Sequence, residues 1–280
     1  MDETGQVTPE QAWMALRLLR QDDNSAVAFT LYGSDIQLTP ISPSLDPETS
    51  ILRSLRTKNS RLVRMLDTTY RLNYPGVQMT SDIFYQGNLQ APQQVMDRRL
   101  VVNDGNDSSG ASSLHCVSNQ KLREAINPEN PLAYIGVSGN EIEHGLSYDN
   151  YAQAMTVSDL CTEFISLGIY PSRISVIAPY NPHVKTIRTL LNGTGIVCNT
   201  VHKMLGAEND IVIFATTRSN PSRDLGFIIQ PELLNVATSR QLLKLVIVGN
   251  EKETFSEGSD TSKKIYDFID SKGSMTIIAN

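Results

Sequence analysis

The sequence has few of the residues that mark a disulfide scaffold, a zinc site or a membrane protein. Its 280 residues contain three cysteines, Cys116, Cys161 and Cys198, which lie far apart and form no CxxC pair. This spacing predicts reduced thiols rather than disulfides or a zinc centre. No apolar run reaches the roughly 20 residues that a membrane-spanning helix needs, and the acidic, polar start is not typical of a secretory signal. We therefore expect an intracellular protein, nuclear or cytoplasmic, with no membrane partner.

An excess of positive charge is also missing. The chain has 24 Lys and Arg against 30 Asp and Glu, which gives a formal net charge of −6. This balance gives no sign of a general affinity for nucleic acid, so any such binding must come from a local groove. A hydrophobic content of 40% and a charged content of 19% are typical of a globular protein with one good core or two small ones.

Short β-branched runs alternate with stretches of helical periodicity from about residue 93 onward. Strands are predicted at 133–137, 174–178, 195–201, 210–217 and 244–250, and helices at 151–167, 182–191, 232–243 and 263–272. This alternation is typical of an α/β domain with a largely parallel sheet flanked by helices. The segment 103–113 is rich in Ser, Asn, Asp and Gly and predicts an exposed loop.

The first forty-odd residues form a separate fragment. The pattern predicts a helix over 9–20, with Thr8 as its N-cap and Pro9 at its first position, and then a strand over 26–33. One helix and one strand cannot bury their apolar faces alone. This fragment must dock on the larger domain, pair with another chain or remain loosely ordered. An unpaired strand over 26–32 would also offer an edge for dimerisation.

Five stretches of the sequence, taken in order, have the pattern of motifs that act together in one functional site. They are DETGQ (2–6), GSDIQLTP (33–40), LDTTYRLNYP (66–75), TVHKMLGAENDIVIF (200–214) and NVATSRQ (235–241). The series resembles the motifs of superfamily 1 helicases, specifically the type that includes the nonsense-mediated-decay RNA helicase and its senataxin-like relatives. SDIFYQGNLQ (81–90), VIAPY (176–180) and RSNPSRDLGF (218–227) match as well, so the resemblance covers almost the whole chain. It implies a RecA-like, P-loop NTPase-type fold, in which two lobes hold ATP and step along single-stranded RNA or DNA.

The resemblance implies roles for catalytic residues in the first two stretches. Asp2 would hold Mg²⁺, Glu3 would position the attacking water, and Gln37 would sense the γ-phosphate of ATP. A triphosphate also needs a Gly-rich loop with a lysine and an arginine that stabilises charge in the transition state.

The later stretches imply further nucleotide and nucleic-acid contacts. Tyr70 would stack on the adenine while Arg71 reaches a phosphate. Gly206 and Glu208 fall where the family contacts the nucleotide, and Arg240 falls where it places the arginine finger. The residues near the family's single-strand groove are Tyr180, Thr200 and Ser219, which would contact the backbone with little sequence reading.

Each of these residues also has an ordinary structural interpretation. Asp2 and Glu3 could be solvated acids at a flexible end, and Arg240 could serve only a helix dipole. Gln37 and Glu208 could be turn residues, and Tyr70 with Arg71 a half-buried surface pair. Their joint order nevertheless favours helicase ancestry. The basic run 53–64 is interpreted as the solvated face of a helix, and His202 as a structural or groove-lining residue.

Several parts of the family pattern are missing or altered. The chain contains no GxxxxGK[ST] loop, which in the family precedes the DE pair. We therefore expect residues 1–45 to be a remnant of the first lobe and residues 46–280 to be the second lobe. Ser34 replaces an acid in GSDIQL, and His202, Lys203 and Leu205 replace the family residues of TVDSFQG. These changes predict weakened coupling between nucleic acid and ATP.

The expected function is that of a fragment of an ATP-dependent superfamily 1 RNA or DNA helicase, whose second RecA-like lobe carries the arginine finger and the nucleic-acid groove. Without the phosphate loop, we expect little or no ATP hydrolysis by the chain alone. Activity would then require a first lobe supplied in trans or by a second copy. The alternative is a non-catalytic, helicase-derived scaffold that binds nucleic acid or protein.

Overall fold

The computed structural model describes residues 2–19, 29–40, 50–102, 119–250 and 254–278. The chain divides into two compact units: Met1–Leu66 with Pro231–Leu233, and Asp67–Gln230 with Leu234–Asn280. The loop predicted at 103–113 lies outside the described residues. Among the helices that are described, none is long and apolar enough to cross a membrane.

The smaller unit contains the helices α1 (Pro9–Leu19) and α2 (Ile51–Lys58). The start of α1 is capped reciprocally. The Thr8 N–H donates to Gln11 Oε1 at 3.0 Å, and Thr8 Oγ1 accepts from the Gln11 N–H at 3.3 Å. This arrangement satisfies two free donors of the first turn, and it confirms Thr8 as the cap and Pro9 as the first residue.

The strand predicted over 26–33 is wrong where the structure describes it. Residues 26–28 lie outside the described residues, and residues 29–33 are irregular. The Tyr32 carbonyl oxygen accepts from the N–H and Oγ1 of Thr4, at 2.9 and 2.8 Å. A β-ladder needs a series of backbone hydrogen bonds, and these two bonds share a single carbonyl oxygen. The described part of this segment therefore gives no strand edge for the dimerisation proposed from the sequence.

The larger unit carries the remaining helices and all the named strands of the described chain. Its helices are α3 (Gly76–Phe84), α4 (Gln93–Met96), α5 (Arg123–Ile126), α6 (Tyr151–Ser166), α7 (Asn181–Leu190), α8 (Pro231–Ala237), α9 (Thr254–Glu257) and α10 (Asp260–Lys272). The first three residues of α8 cluster with the smaller unit. The strands are β1 (Leu132–Val137), β2 (Ile142–His144), β3 (Ser147–Asp149), β4 (Ile174–Ala178), β5 (Val197–Thr200), β6 (Asn209–Ala215), β7 (Gln241–Asn250) and β8 (Ser274–Ile278).

Six of these strands form one sheet in the order β5-β4-β6-β7-β1-β8, and every neighbouring pair is parallel. All side chains of β1 and β4 are buried, as expected for a parallel sheet covered on both faces. This architecture confirms the predicted α/β class. The sequence did not predict β8 or the separate antiparallel hairpin of β2 and β3, because short, partly exposed strands lack a long apolar run.

The helix α8 ends earlier than the predicted helix 232–243. The hydroxyls of Thr238 and Ser239 donate back to the carbonyls of Leu234 and Asn235, at 2.8 and 2.6 Å. Such side-chain hydrogen bonds to backbone carbonyls disfavour continuation of the helix. The strand β7 begins soon afterwards, at Gln241. The position of Arg240 near a helix end is therefore correct, but the residues that follow it belong to a strand.

We expect the core of the larger unit to depend on the centre of β6. Ile213 is fully buried there, whereas Val197 on the edge strand β5 is 48% exposed. Ile213→Ala should lower the free energy of unfolding by about 2–5 kcal/mol, because it leaves a cavity. The control Val197→Ala should cost less than about 1 kcal/mol. Urea unfolding measures both, and equal losses would contradict the assignment of the core.

Candidate functional site

The predicted magnesium and water residues lie in the smaller unit. Asp2 and Glu3 are exposed, and Glu3 has a left-handed backbone with φ of 51°. The Glu3 N–H donates to Asp2 Oδ1 at 2.9 Å. The next residue, Thr4, is buried, and Ser50 Oγ donates to its carbonyl oxygen at 3.1 Å. The acidic pair is therefore followed directly by an anchored residue.

Two glycines bring this acidic stretch against the stretch that carries Gln37. A Cβ atom at Gly5 would lie 2.1 Å from the Ser34 carbonyl oxygen, and one at Gly33 would lie 2.7 Å from the Gly5 nitrogen. Only glycine allows the two backbones to approach so closely. Gln37 itself is half-buried, three residues after Ser34.

The basic run contributes to the same unit. Arg53 Nη2 donates to the Asp35 carbonyl oxygen at 2.6 Å, and the Arg56 guanidinium pairs with the Asp35 carboxylate. Arg61 and Arg64 are exposed. The predicted solvated helix face is thus correct for only part of the run, since two of its cations on α2 are engaged with the GSDIQL stretch.

In the larger unit, three nucleotide-site residues predicted from distant motifs come together. Arg71 Nε donates to Glu208 Oε2 at 2.7 Å, and Arg71 Nη1 donates to the carbonyl oxygen of Ser239 at 3.3 Å. Ser239 directly precedes Arg240, and the Asn209 N–H donates to the Arg240 carbonyl oxygen at 3.1 Å. This group lies at the amino ends of the neighbouring strands β6 and β7.

The individual side chains of this group differ in accessibility. Arg240 is only 2% exposed, and it donates to the Val236 carbonyl oxygen and to Ser239 Oγ, both at 3.2 Å. Tyr70 is 70% exposed, and its carbonyl oxygen accepts from Arg98 Nη1 at 3.1 Å. The exposed Gly206 has a φ of 75°, which favours glycine in the turn before Glu208.

The residues predicted to contact nucleic acid lie at or just beyond the carboxyl ends of β4, β5 and β6. Tyr180 and Ser219 are buried, and Thr200 is half-buried. The Ser219 N–H donates to Glu141 Oε2 at 2.7 Å, while Asn250 Nδ2 donates to Ser219 Oγ at 2.6 Å. Burial raises the pKa of Tyr180, so its hydroxyl stays protonated.

An arginine that the sequence analysis did not single out lies at the centre of this carboxyl edge. Arg218 donates from Nε and Nη2 to both carboxylate oxygens of Glu141, at 2.9 and 3.1 Å. Its guanidinium carbon lies 3.9 Å from the centroid of the Tyr148 ring, and its Nη1 lies 3.4 Å from the Tyr180 hydroxyl. Its only signal in the sequence was its place in the matched stretch 218–227. Glu141 and Tyr148 lie just before and within the unpredicted β2–β3 hairpin, so no sequence pattern identified them.

A buried histidine lies beneath the same edge. His183 Nδ1 contacts Asp149 Oδ1 at 2.9 Å, and Thr186 Oγ1 donates to Asp149 Oδ2 at 2.6 Å. The hydrogen bond from His183 lowers the pKa of Asp149 to about 2, and burial lowers the pKa of His183. The first shift keeps the Asp149 carboxylate ionised, and the second favours a neutral imidazole, which would donate from Nδ1 to that carboxylate. His183 Nε2 is buried and has no described partner, so protonation would bury an unpaired N–H.

The described residues contain no group of three or more His, Cys, Asp and Glu side chains that could hold a metal ion. Magnesium in nucleotide sites is commonly held by one or two carboxylates together with substrate phosphates. A single carboxylate at Asp2 fits that pattern without forming a complete protein site.

Comparison with known proteins identifies the class to which this architecture belongs. Residues 47–252 match the family described as an AAA domain, AAA_12. The chain therefore belongs to this family, and its sequence relationship to superfamily 1 helicases of the type inferred from the motifs is shown. The predicted recognition is therefore confirmed.

Similar curated proteins include several named helicases. The chain is 27% identical to the DNA polymerase alpha-associated DNA helicase A of Schizosaccharomyces pombe, over 96% of this chain and 39% of that protein. It is 26% identical to the DNA replication ATP-dependent helicase/nuclease dna2 of the same organism, over 80% and 17%. It is 28% identical to the Regulator of nonsense transcripts 1 homolog of Drosophila melanogaster, over 67% and 15%. The chain thus spans well under half the length of these relatives.

The environment of His183 predicts a pH dependence of stability. In the unfolded chain its pKa is near the ordinary value of about 6.5, whereas the folded chain disfavours the protonated form. The free energy of unfolding should therefore fall as the pH falls below about 6.5. His183→Asn keeps a donor for Asp149 and should reduce this fall between pH 7.5 and pH 5.5, measured by urea unfolding.

The exposed His144 supplies the matched control. His144→Gln removes an exposed histidine, and its pH profile is measured in the same way for comparison. Burial also lowers the pKa of Lys244, to about 7, but that group contributes to all three proteins alike. Identical pH profiles for His183→Asn and the unsubstituted chain would refute the neutral, buried histidine.

Proposed function

We propose that the larger unit forms most of the second RecA-like lobe, residues 46–280, of an ATP-dependent helicase and supplies one side of its nucleotide site. The observation that carries this proposal is the meeting of Arg71 with Glu208 and Ser239, which lie 137 and 168 residues further along the chain. In this proposal Tyr70 stacks on the adenine, and Glu208 with Gly206 contacts the nucleotide. Arg71 and Arg240 stabilise the charge on the γ-phosphate.

Residues 1–45 are proposed to be a remnant of the first lobe that retains three of its functional side chains. Asp2 would hold Mg²⁺ together with the phosphates, Glu3 would orient the attacking water, and Gln37 would sense the γ-phosphate. Gly5 packs closely against Ser34, so the two stretches that carry these residues lie side by side. This packing supports the proposal that these residues act together. Residues 46–280 would then form the second lobe.

ATP turnover needs one more part. The 280 residues contain no GxxxxGK[ST] loop, which would bind the β- and γ-phosphates through its backbone N–H groups and lysine. The chain alone is therefore proposed to bind nucleotide weakly and to hydrolyse little or none. A first lobe that carries this loop, supplied in trans, would complete the site.

The proposed partner at the carboxyl edge of the sheet is single-stranded RNA or DNA. The relatives are named as DNA helicases or as a regulator of nonsense transcripts, so both kinds of strand are reasonable substrates. Tyr180 and Ser219 are buried, and contacts there would use nearby backbone groups. Thr200 and the exposed Lys203 offer the accessible side chains of this edge. The competing function is that of a non-catalytic scaffold, because the binding of nucleic acid in such a groove does not require ATP.

Removal of the exposed aromatic ring tests the nucleotide site. Tyr70→Ala should weaken the binding of Mg-ATP at least about fivefold, because stacking of a base on an aromatic ring contributes about 1–3 kcal/mol. Fluorescence titration with a labelled ATP measures the affinity. Tyr151, which is 56% exposed at the start of α6, provides the control Tyr151→Ala. Equal affinity for the Tyr70 and Tyr151 variants would argue against this nucleotide site.

Removal of an exposed cation tests the nucleic-acid groove. Lys203→Gln should weaken the binding of single-stranded RNA and DNA alike and should reduce its salt dependence, because a phosphate contact carries no sequence information. Fluorescence anisotropy at several salt concentrations measures this. Lys264→Gln, on the exposed side of α10, is the control. The groove is misplaced if Lys264→Gln has the larger effect.

A further inference from the structure

A strained turn follows β6 at the carboxyl edge of the sheet. Thr217 has a φ of 69°, a left-handed conformation that is unfavourable for a β-branched residue. The Arg218 N–H donates to the Thr216 carbonyl oxygen at 2.8 Å, which closes a three-residue γ-turn around Thr217. γ-turns with positive φ are rare and strained, and such strain persists only where the surrounding structure imposes it.

Two buried side chains impose this conformation. Gln153 Oε1 accepts from the Thr217 N–H at 2.8 Å, and Asn150 Nδ2 donates to the Thr217 carbonyl oxygen at 3.1 Å. Both backbone groups of Thr217 are thereby satisfied from outside the turn. We call Asn150 and Gln153 the turn clamp.

The turn clamp is itself rigidly placed. Asn150 is the N-cap of α6, and its Oδ1 accepts from the Gln153 N–H at 3.1 Å. Asn150 and Gln153 are fully buried. Gln153 Nε2 is also buried and has no described partner, so the described contact of this side chain with the turn runs through Oε1.

The turn determines where the next residues lie. Thr216 still belongs to the ladder, since its N–H donates to the Val248 carbonyl oxygen at 2.9 Å. Two residues later, Arg218 and Ser219 both bind the Glu141 carboxylate. The chain must therefore leave the sheet sharply at Thr217 for Arg218 and Ser219 to reach Glu141.

We propose that Asn150 and Gln153 are positioning residues, which hold the γ-turn at Thr217 and thereby fix the Arg218–Asn220 loop in the form that binds single-stranded nucleic acid. The nucleic-acid part of this inference rests on the proposed function. The control of the turn by the clamp does not, and it can be measured separately.

A double-mutant cycle separates this role from a general loss of stability. Gln153→Met removes the acceptor at nearly constant size. It should weaken single-strand binding at least about fivefold, because the Thr217 N–H loses its partner and the strained turn relaxes. Thr217→Gly removes the strain, because glycine adopts positive φ without steric cost. In the Thr217→Gly background, Gln153→Met should therefore change the affinity by less than about twofold.

Amide chemical shifts of residues 218–220 in the isotopically labelled full chain report on the loop without nucleic acid. Gln153→Met should shift these resonances in the unsubstituted background and should shift them much less in the Thr217→Gly background. Thr156→Val is the matched control, because it removes a hydrogen bond to Ala152 on the same helix without contacting the turn. Circular dichroism establishes that each variant is folded at the assay temperature.

The outcomes distinguish the positioning role of the turn clamp from the proposed binding of nucleic acid. Unmoved loop resonances in Gln153→Met, or equal effects of this substitution in both backgrounds, would overturn the positioning role. If the loop resonances respond as expected but the unsubstituted chain binds neither a single-stranded RNA nor a single-stranded DNA oligonucleotide, the clamp stands and the proposed nucleic-acid function fails.

Discussion

The parallel pairing of β6 with β7 is the constraint on which both proposed sites depend, the nucleotide site at the amino ends of the strands and the nucleic-acid site at their carboxyl ends. The ladder runs from Asn209 opposite Gln241 to Ala215 opposite Val248, with an irregularity between Asn209 and Ile211. Because the strands are parallel, the segments that enter them meet at one edge and the segments that leave them meet at the other. Glu208 and Arg240 directly precede β6 and β7 and therefore lie side by side. At the other end of the ladder, the γ-turn at Thr217 directs the chain away from the sheet.

The stretch from Thr200 to Glu208 crosses from one edge to the other. It leaves β5 at the carboxyl edge and enters β6 at the amino edge. His202, Lys203 and Leu205, which depart from the family pattern, all lie within this crossing. The substitutions from which weakened coupling was predicted therefore lie on the segment that joins the two edges along the chain.

The sequence predicted the parallel sheet because its strands are buried, β-branched runs that read clearly against the amphipathic helices. The order of motifs also singled out Arg71 and Glu208, which form an ion pair, and Arg240, whose carbonyl oxygen accepts from the Asn209 N–H. The sequence could not predict the end of α8, since apolar residues such as Leu242 and Leu243 fit a helix and a strand equally well. Nor could it predict the contact of Gln153 with Thr217, which are 64 residues apart and meet only through tertiary packing.

The most direct test of the account is ATP hydrolysis by the purified 280-residue chain, with and without single-stranded RNA or DNA, beside Arg240→Lys. Lysine keeps the charge but loses the planar fork that reaches Val236 and Ser239. The account predicts no appreciable turnover by either protein under any of these conditions, because the sequence contains no GxxxxGK[ST] loop. Turnover that nucleic acid stimulates in the unsubstituted chain and that Arg240→Lys abolishes would contradict it.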